Sequence, residues 1–492
     1  MAVRPAAATC RRLTRPDAAH IQAPGRAEAY PSADRMSADI DSVRSERLQR
    51  TLKAVSAAHP FYRARFRTLG IEPEAIRTVD DLARLPTTSK NDYIADPEAF
   101  RLRPDDLPAD FATEERVLWD IAYTTGTTSG RPSPFYNTTH DAYAILDQAR
   151  RCNEAEGFRP DDRVANLYPM AGFPTGAFLS VVRSTMIAGL PVVHGLTGSA
   201  NSEFKVRNSL AEALAKVEKL KPTILWGVPS FVRRFLDEAR RGNADFSSVR
   251  MVLTSGEPVP AALRKEMREQ LALMGAGPVE IKARYAFTEM QGGLVQCEAH
   301  AAPQNVVPDL YYLEVVDAET GARRGDGEEG MLAITHLHRR GTVLLRYLVG
   351  DVVTLSREPC PACGRPGERV VATPRRVGNL VKCRGMLVNT DVILESLSAM
   401  EGIGEFQLLF RREDRPGALD ELVVRIEFDE SQPTRTGAAE WTGARLREEV
   451  TRRVREAVSL RPEVEFEARG ALYDHERSIK AKRIVDSRKL LE

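Results

Sequence analysis

Apolar residues recur three to five positions apart between Asp41 and His59, at Val43, Leu48, Leu52 and Val55, and predict an amphipathic helix. Downstream, short apolar runs alternate with helical stretches. The runs at 116–123, 164–169, 222–229 and 249–258 predict strands, and 204–219 and 260–274 predict helices. Such alternation points to α/β layers with largely parallel sheets. The C-terminal stretch reads differently. A hairpin is expected at 375–389, a helix at 391–400, and strands at 405–412, 421–430 and 463–470. Between the last two strands, Leu446, Val450, Val454 and Val458 are spaced by four and mark the core stripe of a longer helix. This βαββαβ order describes a small α+β unit beginning near Arg376.

The expected organisation is therefore a disordered or mis-started extension over 1–45, a large domain over 46–376 and a small domain over 377–492. The extension is rich in Ala, Arg and Pro; Met36 is an alternative start, and a transit peptide the weaker alternative reading. The most apolar segment, 171–193, is interrupted by Pro174, Arg183 and several small residues, so a buried helix or a loop and strand is expected there. Without an apolar run of signal-peptide length, the expected location is cytoplasmic.

Composition narrows the function classes. The 492 residues are 42% hydrophobic and 28% charged, enough to bury several cores without disulfides. Basic residues (70) and acidic residues (69) leave a net charge of +1, which argues against nucleic acid or anionic membrane as partner. Only 12 of the 70 basic residues are lysine, and the arginines are spread among acids rather than clustered. Six cysteines in a chain of this length fit a reducing compartment.

The segment AYTTGTTSGRPSP at 122–134 runs from a strand into a loop dense in Gly and Thr. Small residues there let backbone amides approach a phosphate, and threonine hydroxyls add donors. It lacks the GK[ST] ending of a Walker A loop, the GxGxxG dinucleotide fingerprint and the GxSxG elbow of hydrolases. It resembles the signature loop of adenylate-forming acyl ligases, particularly phenylacetate–CoA ligase-like members. Further segments follow in that family's order: SGEP at 255–258, YAFTE at 285–289, YLVGD at 347–351, Arg376 with KCRG at 382–385, and IKAKRIVDSRK at 479–489.

The resemblance implies a large multi-layer α/β adenylation domain followed by a small mobile α+β domain. It implies an acid–thiol ligase that uses ATP, Mg²⁺ and coenzyme A to convert a small carboxylic acid into an acyl adenylate and then a thioester. Thr124, Gly126, Thr127 and Thr128 would surround the phosphates, with Thr288 at the α-phosphate and Glu289 holding Mg²⁺. Ser255, Gly256 and Glu257 would lie on the adenine side, where Tyr285 would stack. Asp351 would accept the ribose hydroxyls, assisted by Arg376, and Lys480 would bridge the carboxylate and the α-phosphate, with Lys482 the alternative lysine. Each role has a chemical reason, because joining two anions requires positioning and cations where charge develops. Taken singly, Glu289 and Asp351 read equally as solvated loop acids, Tyr285 as a core aromatic and Lys480 as part of a solvated face. The chain departs from the family at Ser129, an additional loop residue, at Ser133 and Pro134 in place of a closing lysine, and at Gly378 and Asn379 in place of an acidic hinge pair.

Cys297 and His300 stand at Cys-x₂-His spacing, and Cys360 and Cys363 at Cys-x₂-Cys spacing. Together they would form a closed tetrahedral zinc set, structural rather than catalytic. The family's acyl pocket would draw on Tyr168, Phe173, Trp226, Phe231, Ala286, Phe287 and Gly292, a mixture suited to an aryl or arylacetic acid. Transfer of the adenylate to an amine or a carrier-protein thiol is the rival enzymatic reading, and a zinc-stabilised binding module the non-enzymatic one. A homodimer is a further expectation.

Overall fold

The computed structural model describes residues 39–123, 132–169, 176–197, 208–376, 380–384, 386–400, 403–412, 420–428, 435–436, 439–474 and 481–488. The helix Ile40–Ala58 opens where the Asp39 carboxylate accepts the Ser42 amide, and buries Val43, Leu48, Leu52 and Val55. It thus reaches back past residue 45, the limit expected for the extension.

A six-stranded sheet forms the centre of one layer. Strands Val192–His194, Val164–Asn166, Ile224–Gly227, Met251–Ser255 and Glu280–Phe287 run parallel in that spatial order, and Gly292–Leu294 closes the edge antiparallel. Its core holds Leu225, Trp226, Val252 and Leu253 against Phe231, Phe235 and Met267. The last three lie on helices Pro229–Arg241 and Ala261–Leu273. Both faces of the sheet are covered, as parallel strands require. The apolar segment around 180 contributes the helix Gly176–Ala188 and the strand Val192–His194. No helix among the described residues is long and apolar enough to cross a membrane.

A second sheet is antiparallel, with Tyr311–Val316, Glu329–His336 and Tyr347–Ser356 as successive neighbours. Its apolar face shares a core with the helices Ile40–Ala58 and Pro60–Leu69, through Leu48, Tyr62, Phe66, Leu313 and Ile334. The short strand Arg375–Arg376 pairs with its last long strand, placing Arg376 opposite Asp351. This sheet lies outside the parallel pattern expected from sequence.

A third core begins at Cys383 and includes Ile393, Phe406, Val424, Leu446, Val450 and Val454. Its sheet has the order Glu463–Glu467, Asp420–Glu427, Phe406–Arg412 and Ile484–Asp486. The helices Thr390–Ser398 and Gly443–Val458 complete it, and Val458 packs at its rim. The strand Ile484–Asp486 lies inside the segment expected to be only a terminal loop. Three residues are too few to display a period.

Candidate active site

The parallel strand Glu280–Phe287 and the antiparallel strand Tyr347–Ser356 meet at a carboxylate. The Tyr285 hydroxyl donates to Asp351 Oδ2 at 2.7 Å, and Arg376 Nε donates to Asp351 Oδ1 at 3.2 Å. Asp351 is buried, whereas the Arg376 side chain is 57% exposed. Burial and the facing Asp351 carboxylate push the Tyr285 phenol well above its usual value, so it remains a donor. Three residues expected from separate motifs are thus brought together.

Glu289 follows at the C-terminal end of the same parallel strand, in the turn Thr288–Met290. Its backbone carbonyl is hydrogen-bonded to the His336 ring at 2.8 Å, and the Thr288 carbonyl accepts from Gln291 Nε2 at 2.8 Å. The Glu289 side chain is buried, and burial pushes its carboxyl above the ordinary glutamate value while Lys90 pulls the other way. Burial and the Glu289 carboxylate push the Tyr347 phenol well above its usual value. A buried carboxylate with so little cationic compensation fits a hard divalent cation. Sequence reasoning assigned no role to Tyr347 or Lys90; Tyr347 does open the YLVGD element, while Lys90 carries no signal.

The strand Met251–Ser255 ends in the SGEP segment. Buried Ser255 bonds the Tyr168 hydroxyl at 2.5 Å, and Gly256 turns the chain at φ +92°. Glu257 reaches the start of helix Pro229–Arg241, where Oε2 accepts the Ser230 amide at 3.1 Å and Oε1 the Ser230 hydroxyl at 3.0 Å. Oε1 also accepts the Ala481 amide at 3.1 Å. The same helix bears further contacts to the C-terminal core. Arg233 donates to the Ile403 carbonyl at 2.7 Å and pairs with Glu266 at 2.9 Å, and Arg234 donates to the Tyr473 carbonyl at 3.1 Å.

Several expected positions lie outside the described residues: Thr124, Gly126, Thr127, Thr128, Ser129, Phe173, Gly378, Asn379 and Lys480. Lys482 is described; its carbonyl accepts from Gln407 Nε2 at 2.8 Å.

Of the acyl-pocket candidates, Trp226 is buried beneath the Arg284 guanidinium, 4.2 Å from the ring centroid, and Arg284 is itself paired with buried Glu156. Phe231 belongs to the sheet core with Phe235. Phe287 sits 5.5 Å from the Tyr285 ring, and Ala286 beside it is exposed. At Gly292 a Cβ would meet the Gln148 amide at 2.2 Å, so this strand passes close to the helix Thr139–Glu156. The Arg284–Glu156 pair could not be read from sequence, because its partners are 128 residues apart.

The thiols of Cys297, Cys360 and Cys363 lie within 4.8 Å of one another, with Cys297 and Cys360 sulfurs 3.7 Å apart. His300, expected as the fourth ligand, is exposed and stands outside this group. Burial opposes ionisation of Cys363, yet hydrogen bonds from the Arg365 amide and from Gln304 outweigh it and bring that thiol down to about 7. Three converging sulfurs suit a soft cation such as zinc.

Two family models match the chain: AMP-binding enzyme over residues 41–339 and AMP-binding enzyme C-terminal domain over residues 389–488. A phenylacetate-coenzyme A ligase of Thermus thermophilus is 27% identical over 396 residues, covering 80% of this chain and 82% of that protein. One from Escherichia coli is 26% identical, covering 81% and 84%. Among solved structures, 2-hydroxyisobutyryl-CoA ligase in its postadenylation state with 2-HIB-AMP gives a TM-score of 0.74 at 23% identity, covering 94% of this chain and 95% of that one. The same ligase in its thioesterification state with CoA gives 0.59 with 94% and 96% covered.

Proposed function

The chain belongs to the AMP-binding enzyme family, and from that premise we propose that it activates a small carboxylic acid with ATP and transfers the acyl group to coenzyme A. The first half-reaction joins the acid to the α-phosphate and releases pyrophosphate; in the second, the thiol of coenzyme A displaces AMP. The observation that carries this reading is the convergence of Tyr285, Asp351, Arg376 and buried Glu289 where the two sheets of the large domain meet.

Each side chain has a task in that chemistry. Asp351 offers two acceptor oxygens to a pair of vicinal hydroxyls, and Tyr285 and Arg376 hold it in place as donors. Ser255 and Gly256 flank the adenine at the end of their strand, and the threonines of 124–128 with Thr288 supply hydroxyls to the phosphates. Glu289 would hold Mg²⁺, which when bound offsets phosphate charge. Lys480 meets the carboxylate and the α-phosphate as a compact cation.

The large domain spans 46–376 and the small one 377–492 in this reading, with the hinge after Arg376. Cys297, Cys360 and Cys363 hold a structural zinc through their three converging sulfurs, without the His300 that spacing alone would add. The acid is aryl or arylacetic, the setting cytoplasmic and the assembly a homodimer. The identity of two phenylacetate–CoA ligases over four fifths of the chain supports the acid class.

The test is product analysis with ATP, Mg²⁺, coenzyme A and a panel of aryl, arylacetic, fatty and amino acids. AMP, pyrophosphate and an acyl-CoA thioester should appear in equal amounts with an arylacetic or aryl acid. Formation of ADP, or nucleotide turnover indifferent to the acid, would overturn the proposal.

A further inference from the structure

The resemblance sets Glu257 beside the adenine, but its contacts give it another task. The helix Pro229–Arg241 has no side-chain cap at Val228. Glu257, from the end of the neighbouring parallel strand, supplies one by accepting both the amide and the hydroxyl of Ser230, at 3.1 and 3.0 Å. A carboxylate in that position satisfies an amide the helix leaves unpaired and lies favourably in its dipole. These bonds lie wholly within the large domain, so they fix the carboxylate whatever the C-terminal core does. The third bond crosses to that core: Oε1 accepts the Ala481 amide at 3.1 Å. Ala481 directly follows Lys480 in the chain. The helix that anchors Glu257 also carries the Arg233–Ile403 and Arg234–Tyr473 contacts, so cap and dock share one element.

We propose that Glu257 is a positioning residue for the adenylation half-reaction, anchoring the terminal segment at Ala481 for the first step and not for the second. The inference rests on the function proposed above. The anchor is reversible by construction. When Ala481 departs, the carboxylate keeps its two bonds to Ser230 and no buried charge is stranded. A nucleotide contact and a loop anchor make different predictions. A group touching the adenine serves both half-reactions, because the adenylate is present in both. An anchor for the terminal loop serves only the first.

The experiment measures the two half-reactions separately in the full-length protein carrying Glu257→Gln. Pyrophosphate exchange into ATP reads the first, using whichever panel acid the wild type exchanges fastest. Thioester formation from the chemically made adenylate of that acid and coenzyme A reads the second. Glutamine retains one acceptor oxygen for sites that need two, so exchange should fall about tenfold to a hundredfold, as expected for a hydrogen bond to a charged group. The second half-reaction should stay within about twofold, the scatter expected of such comparisons. Ala481→Pro removes the donor while leaving the Ser230 cap intact; it should show the same one-sided loss, and the double variant should lose little more than either single one. Equal losses in both half-reactions, or no loss in either, would overturn the inference. A wild type that exchanges with no acid would overturn the proposed function itself.

Discussion

Asp351 and Glu289 share a site, but their surroundings give them different work. Asp351 has a hydrogen bond on each oxygen, from Tyr285 and Arg376, and is poised as an acceptor. Asp351→Asn replaces one acceptor with a donor, so the KM for ATP should rise about tenfold or more while the fold is retained; steady-state kinetics with circular dichroism checks both. Glu289 is held with its proton too tightly. A carboxyl raised in the folded state binds more protons than in the unfolded chain across the interval above the ordinary glutamate value. Stability therefore falls as pH rises through that interval. Without divalent cations, Glu289→Gln should melt higher than wild type at pH 7, and the gap should close as the pH drops toward the ordinary glutamate range. Added Mg²⁺ should raise the melting temperature of wild type only. A gap unchanged by pH would contradict the assignment. The types and order of these residues were legible in the sequence because the chemistry demands them. Their surroundings were not: Lys90, Ser230 and Glu156 come from distant segments through tertiary contact, which no local pattern encodes.

Elements were legible in proportion to how strongly their period shows. The helices Ile40–Ala58 and Gly443–Val458 carry apolar stripes and lie where the spacing predicts. The antiparallel sheet was silent, because a strand such as Tyr311–Val316 is buried at every residue and shows no alternation. At this scale the Cys297, Cys360 and Cys363 cluster joins two loops that neither sheet connects. Cys360→Ser should lower bound zinc from about one per chain toward none and reduce the melting temperature, as elemental analysis and calorimetry would record. The helix Pro229–Arg241 is the other decisive element. Arg233 sits between two half-buried acids, where burial raises both Glu266 and Glu405; its own charge compensates Glu266, and Arg483 shares that task at Glu405. Arg233→Ala would leave Glu266 without its partner, while Glu405 keeps Arg483 at 2.9 Å, and should cost about 1–2 kcal/mol of stability, measured by denaturant unfolding.

For the whole molecule, the C-terminal core meets that helix through the Arg233–Ile403 and Arg234–Tyr473 contacts and the Glu257–Ala481 bond beside it. The near-neutral charge, which argued against polyanionic partners, suits an enzyme whose important charges are few and local. The central claim is that this chain activates a carboxylic acid by adenylation. Acid-dependent exchange of labelled pyrophosphate into ATP tests it most directly, with wild type and Lys480→Ala side by side. The account predicts label in ATP only when Mg²⁺ and an aryl or arylacetic acid are present, and a loss of at least about a hundredfold in the variant while ATP still binds. Exchange that ignores the acid, or near-normal exchange in Lys480→Ala, would contradict it.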